Sequence, residues 1–207
     1  MEEPNLSKKA QVTRSKIIEA AYQLFLKQGY HSTSMRQISA RAGLTIGAIY
    51  HHFAGKEEIW TAVLMEKHPY REIMPLLNSV DSPTIAGFVR QSANCLVAEL
   101  SRRSDLLNLM FIELVEFSGK HIPVLFQAIF PEAVQLGETL AHKAGNLRPI
   151  PNLVLLRSFL GLFFSFYITE IMLPEEIRCQ MGGEALEAFV NIYLYGILDE
   201  PLSEQDD

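Results

Sequence analysis

The strongest constraint on the fold of this chain lies in residues 33–56, TSMRQISARAGLTIGAIYHHFAGK. Ser34 followed three residues later by Gln37 has the spacing of a capping box, and it opens a short helix with Met35, Ile38 and Ala42 on one face. Gly43 lets the backbone turn, and Thr45 is suited to cap the next helix, residues 46–53. Ile49 and Phe53 point inward at four-residue spacing, so Thr45, Ala48, His51 and His52 face elsewhere and Tyr50 stands at the flank. Two short helices around a tight turn, the second poor in acid and ending in aromatic and cationic groups, form the arrangement that a helix-turn-helix offers to DNA.

Charge is distributed to suit that use. The net charge of -6 over 207 residues argues, taken whole, against a nucleic-acid binder. Residues 1–60, however, hold 8 Lys and Arg against 5 Asp and Glu, a balance of +3, and leave 10 against 19 for the remainder. A basic head on an acidic body lets the head approach phosphates while the body is repelled into solvent.

Around this stretch the pattern is helical throughout. Residues 1–12 lack periodicity and are expected as a flexible arm; Thr13 is placed to cap a helix over 14–28 carrying Ile17, Ile18, Ala21, Leu24 and Phe25, which Gly29 stops. Gly55, Lys56, Glu57 and Glu58 open a longer helix whose acids suit the positive N-terminal dipole, with Pro69 and Pro75 predicting a kink or break before Asn78. Beyond it, helices are predicted over 82–103, 105–117, 122–144, 152–173 and 183–198, separated by proline, glycine and asparagine breakers. No alternating strand pattern competes. The expected architecture is all-α: residues 1–55 as arm and DNA-binding domain, 56–78 as connecting helix, and 79–207 as a helical regulatory and dimerisation domain.

The basic first helix, the Gly29-Tyr30 turn, Thr33-Ser34-Met35, Ile38, Ala42-Gly43, Thr45, Gly47, Tyr50-His51-His52-Phe53 and Lys56 together closely resemble the N-terminal domain of the TetR family of bacterial transcriptional regulators. The resemblance is dense over roughly residues 13–65; the rest fits only as a helical bundle of suitable length. It implies a homodimer whose two heads bind a palindromic DNA operator and whose bodies pair and often enclose a small ligand. At matching positions it implies phosphate contacts from Thr33, Tyr50, His52 and Lys56, with Thr45, Gly47 and His51 near bases or backbone. Ile46 departs from a position often polar in the family, and Ala48 carries no hydrogen-bonding group, so base readout would rest on methyl contacts and Thr45.

Some of these residues have a simpler account. Gly47 and Ala48 keep bulk away from base edges, or they merely allow close helix packing. Tyr50 offers its hydroxyl to a phosphate, or its ring to the core, or both. In the body, Phe111, Glu113, Phe117, Phe126, Phe130, Phe163, Tyr167 and Glu170 could line the pocket of a largely apolar effector, since a few polar groups share apolar faces; each aromatic taken singly reads more readily as ordinary core. Ser158, Gly161 and Ser165 give one helix a smooth side that, with Phe189, Ile192 and Tyr193 of the last helix, suits a four-helix dimer interface or packing inside one subunit.

Other classes have little behind them. There is no Gly-x-Ser-x-Gly, zinc-protease pair, phosphate loop or dinucleotide fingerprint, so neither an enzyme nor a cofactor is expected. His51 and His52 point about 100° apart on a helix with no third ligand, which argues against a metal. Cys95 and Cys179 lack disulfide or zinc spacing, the start has no apolar run, and residues 153–173 contain Arg157 and Glu170; a cytoplasmic protein with no membrane partner is expected. The sequence therefore points to a ligand-responsive regulator, a repressor in the first instance, with a ligand-binding or interaction module of lost DNA binding as the alternative.

Overall fold

The computed structural model describes residues 8–103, 105–143 and 146–199, which form helices with no strand among them. The elements are α1 (Lys8–Gln28), α2 (Met35–Ala42), α3 (Ile46–Tyr50), α4 (Lys56–Lys67), α5 (Tyr70–Asn78), α6 (Ile85–Ser101), α7 (Leu106–Phe117), α8 (Ile122–His142), α9 (Asn152–Met172), α10 (Glu175–Met181) and α11 (Ala185–Ile197). The all-α expectation holds, with local differences at α1 and α10, and the expected break before Asn78 is present. Residues 8–12 of the expected arm are helix, the rest of it lying outside the described residues, and Thr13 is not a cap: its hydroxyl donates to the Lys9 carbonyl one turn back. The break before Asn78 falls at His68, whose ψ of 130° is extended because Pro69 follows. Helix α10 was not foreseen; it buries none of its residues, so no apolar stripe marks it.

Two compact units result, and they do not follow chain order. One holds the chain up to His68 together with Asp105–Phe126; the other takes Pro69 onward and Gln127 onward. The first unit is built on Ile17, Ile18, Ala21 and Phe25 of α1, which close with Ile38, Ile49, Phe53, Ile59, Trp60 and Leu109 around one core. Within it, α7 brings Phe117 to stack on the Trp60 ring at 5.5 Å and to meet Tyr30 edge-on at 4.5 Å. Residues 105–126, expected in a separate body, thus belong to the first unit and help complete its core.

In the second unit, Ile73, Met74 and Leu77 of α5 and Phe88, Val89, Ala93 and Leu96 of α6 are buried, as are Leu155, Leu156, Phe159, Phe163 and Tyr167 of α9 and Val190, Tyr193, Leu194 and Ile197 of α11. Gly137 of α8 is where α9 begins closely beside it, a Cβ there falling 3.2 Å from the Asn152 carbonyl oxygen. Helix α9 is long and apolar enough to span a membrane by length and composition, yet its inward face is part of this core.

Candidate nucleic-acid interface

The helix-turn-helix forms from local signals. Ser34 is extended at φ −107° and ψ 155°; its side chain accepts from the Gln37 N–H at 3.2 Å, and Gln37 Oε1 accepts from the Ser34 N–H at 2.7 Å, so both halves of the capping box are present. Helix α2 ends at Gly43 with φ +67°, the left-handed conformation that an L side chain resists, and the Leu44 N–H returns to the Ser39 carbonyl at 3.0 Å. Thr45 then caps α3, its hydroxyl accepting from the Ala48 N–H at 3.2 Å. That bond uses the oxygen as acceptor and leaves the hydroxyl hydrogen to donate elsewhere.

Helix α3 is sided. Ile49 is fully buried and Phe53 just beyond it nearly so, whereas Thr45, Ile46, Gly47, Tyr50 and His51 are exposed, and Ala48 and His52 are half-buried. Gly47 decides between two explanations of its smallness. A Cβ built on it meets nothing within 4 Å, so close packing inside this chain does not require glycine there. Tyr50 is 55% exposed and Ile46 39%, so neither serves mainly as core. The outward face is free of acid, and Gly47 and Ala48 keep its middle low.

Two residues expected to contact phosphate sit differently. Thr33 is 1% exposed; its hydroxyl donates to the Gly29 carbonyl at 2.8 Å and accepts from Gln28 Nε2 at 3.2 Å. A phosphate contact from that hydroxyl does not fit this placement, which makes Thr33 a brace of the α1–α2 turn. Lys56 Nζ donates to the carbonyls of Tyr30 and Thr33, each at 2.7 Å, and lies 4.1 Å from the centroid of the Tyr30 ring. Burial holds the Lys56 ammonium below the usual lysine range, partly offset by the nearby Glu116 carboxylate. Two of its three N–H donors are used inside, leaving one for a phosphate.

Behind the turn stand groups that sequence analysis assigned elsewhere or missed. Glu113, expected in an effector pocket, is fully buried in this unit: Oε2 accepts from the Trp60 indole N–H at 2.7 Å and Oε1 from the His121 backbone N–H at 2.7 Å. The His121 ring bridges Glu113 Oε2 at 3.0 Å and Glu57 Oε1 at 3.3 Å, and Lys120 Nζ also reaches Glu57. Lys120 first, then His121, hold the Glu57 carboxyl below the usual carboxylate range. Glu116, half-exposed on α7, accepts from the N–H groups of Tyr30 and His31. The available signal was chemical. An acid on the buried face of an apolar helix and a core tryptophan each need a partner, and here they meet.

The expected pocket does not assemble as one set. Phe111, Glu113, Phe117 and Phe126 belong to the first unit, and Phe130, Phe163, Tyr167 and Glu170 to the second. Phe117 is core of the head; Phe111 and Phe126 are exposed; Phe163 and Tyr167 are buried, and the Tyr167 hydroxyl donates to the Arg103 carbonyl at 3.3 Å; Phe130 is exposed and Glu170 half-buried. Of the expected interface residues, Ser158, Gly161, Ser165 and Ile192 are exposed and Phe189 is half-buried against Phe166. Tyr193 is corrected: it is 4% exposed, and its hydroxyl donates to the Leu155 carbonyl at 2.8 Å within its own subunit. Burial pushes that hydroxyl up to about 12.

Comparison with known proteins follows the same division. A family model described as bacterial regulatory proteins of the tetR family matches residues 17–63. The HTH-type transcriptional regulator UidR of Escherichia coli K12 is 37% identical over 62 residues, 30% of this chain and 32% of UidR, so the match spans about a third of that relative's length. Among solved structures, NalD, the secondary repressor of the MexAB-OprM efflux pump in Pseudomonas aeruginosa, is 20% identical, covers 92% of this chain and 99% of its own, and has a TM-score of 0.63. SmeT, the repressor of the Stenotrophomonas maltophilia multidrug efflux pump SmeDEF, is 24% identical over 95% of this chain and 100% of its own, at a TM-score of 0.61. Those structural likenesses concern the fold.

Proposed function

The chain belongs to the TetR family of bacterial regulatory proteins, and from that premise we propose that it is a ligand-responsive repressor that binds a palindromic operator as a homodimer. The observation that carries the reading is the outward face of α3: Thr45, Ile46, Gly47 and Tyr50 are exposed on a helix anchored by Ile49, and Gly47 has open space around it. A helix reaches base edges only where little bulk intervenes. Tyr50, His52 and the remaining Lys56 donor set position on phosphates, while Thr45, Ile46, Ala48 and His51 face the bases with few hydrogen bonds and mainly methyl contacts.

Pairing through α9 and α11 is supported by what that part of the second unit leaves uncovered: Gly161 and Ser165 with Ile171 and Met172 on α9, and Ile192 and Tyr195 on α11. Two heads then address half-sites roughly 34–36 Å apart or a multiple. A small effector is supported by buried polar atoms of the second unit that have no hydrogen-bond partner among the described residues, Asn78 Oδ1, Ser92 Oγ and Asn191 Oδ1 among them; such atoms sit where water or a ligand's polar group belongs. A complex of SmeT with triclosan exists and is in keeping with a largely apolar effector. Release follows if the effector binds two body conformations unequally, only one of which lets the heads fit successive grooves.

The test is titration of the protein onto its own upstream DNA at two salt concentrations. A steep loss of affinity with salt is expected from counterion release, whereas a flat response contradicts DNA binding. Persistent binding of small apolar ligands with no DNA binding at low salt would favour an interaction module instead.

A further inference from the structure

The turn between α1 and α2 is gripped from two sides by opposite charges. Glu116 of α7 accepts from the Tyr30 N–H at 3.1 Å through Oε1 and from the His31 N–H at 3.0 Å through Oε2. Lys56 at the start of α4 donates to the Tyr30 and Thr33 carbonyls of the same turn. The carboxylate approaches the backbone closely because Gly29, at φ +81°, has no side chain: a Cβ there would stand 3.2 Å from Glu116 Oε1. Three segments far apart in sequence therefore meet on four backbone groups.

Stability accounts for only part of this arrangement. Tyr30 is buried, so its N–H needs the carboxylate, but His31 is exposed and its N–H could be satisfied by water. A carboxylate beside a phosphate-binding surface also weakens DNA affinity by repulsion. What the bonds do accomplish is geometric. The turn leads directly into Thr33 and the Ser34 cap, so fixing Tyr30 and His31 fixes where α2 starts and, through the Gly43 turn, where α3 stands.

We infer that Glu116 is a positioning residue for operator binding: without touching DNA, it locks the α1–α2 turn against Lys56 and so fixes the seat of the recognition helix. The inference rests on the DNA-binding reading above.

The experiment compares wild type, Glu116→Gln and Glu116→Ala on a duplex selected by the wild-type protein from a random-sequence library, alongside thermal unfolding and amide hydrogen exchange. The alanine variant is expected to bind about tenfold more weakly and the glutamine variant about threefold, because one loses a charged acceptor and the other keeps a neutral one. The salt slope should stay at the wild-type value, since no phosphate contact is removed. Exchange at Tyr30 and His31 should quicken while amides in α1 and α3 keep their protection. Simple electrostatics predicts the opposite sign, because deleting an acid near phosphates tightens binding. If the alanine variant does not fold, the glutamine variant decides. Equal or tighter binding by a folded glutamine variant overturns the inference, as does a loss that merely tracks a smaller folded fraction. If wild type selects no duplex, the DNA-binding reading itself fails, and the inference falls with it.

Discussion

In the unit that carries α1 to α4, the groups buried among apolar side chains include Thr33, Ser39, Glu113 and His121, and each makes a hydrogen bond within the unit. In the unit that carries α5, α6, α9 and α11, the buried interior is mainly aliphatic and aromatic; Ser82 and Tyr193 are hydrogen-bonded there, but the buried polar atoms Asn78 Oδ1, Ser92 Oγ, Arg103 Nε and Asn191 Oδ1 have no partner among the described residues. The same unit leaves Ile171, Met172, Ile192 and Tyr195 exposed. Hydrogen-bonded joints specify one arrangement, since a buried polar group tolerates few alternative partners. Apolar packing tolerates more, which suits a surface that pairs and an interior that admits ligands. On the proposed function, the head holds a geometry and the body changes one.

Breaking the head's buried joint should give the largest effect. Glu113→Ala leaves the Trp60 indole N–H and the His121 backbone N–H without their acceptor, and a cost of about 3 kcal/mol in urea unfolding is expected. A cost below about 1 kcal/mol would mean that the joint is not what specifies the head. On the body, Ile192→Glu should leave the folded subunit nearly unchanged, because the side chain is 62% exposed, yet weaken self-association by about 100-fold in sedimentation, roughly 2.7 kcal/mol. Unchanged association would move the pairing surface elsewhere.

A smaller effect separates stability from function at a single residue. Gly47→Ala should stabilise the fold by roughly 0.5 kcal/mol, since alanine is the better helix former and the added methyl has open space, while weakening operator binding. Tighter or equal binding would remove Gly47 from the interface. Ser92→Ala in the body should be close to neutral in thermal unfolding, because the hydroxyl it removes lacks a partner among the described residues. The smallest effect concerns pH. Lys67 holds the Glu19 carboxyl below the usual carboxylate range, so the stability from that pair is present at neutral pH and lost as pH falls through the lowered folded value. Both side chains are substantially exposed, and Glu19→Gln should cost no more than about 0.5 kcal/mol at pH 7, a cost that shrinks as acid protonates the carboxylate.

What the sequence made legible was local. The Ser34–Gln37 box, the Gly43 turn, the Thr45 cap and the proline-induced break at His68 each depend on residues within one or two turns, and each is visible in the chain order. The start of α1 was missed because its first turn is largely exposed and has no apolar period. Glu113 was drawn toward a pocket because its donor, Trp60, lies 53 residues away, and Glu116 drew no notice because its partners lie 85 and 86 residues away. Long-range pairing of this kind leaves no periodicity. Thr33 shows the converse limit: its residue type fits a phosphate contact, but burial has already engaged its hydroxyl.

The central claim is that the exposed face of α3 meets DNA, and Tyr50 tests it most directly. Its side chain is 55% exposed and lies outside the buried core of its unit, so Tyr50→Ala should melt with wild type. Measured by titration against the duplex that wild type selects, the variant is expected to bind about tenfold more weakly. Wild-type affinity in a variant with wild-type melting would contradict the account, because DNA would then be meeting the protein somewhere other than this helix.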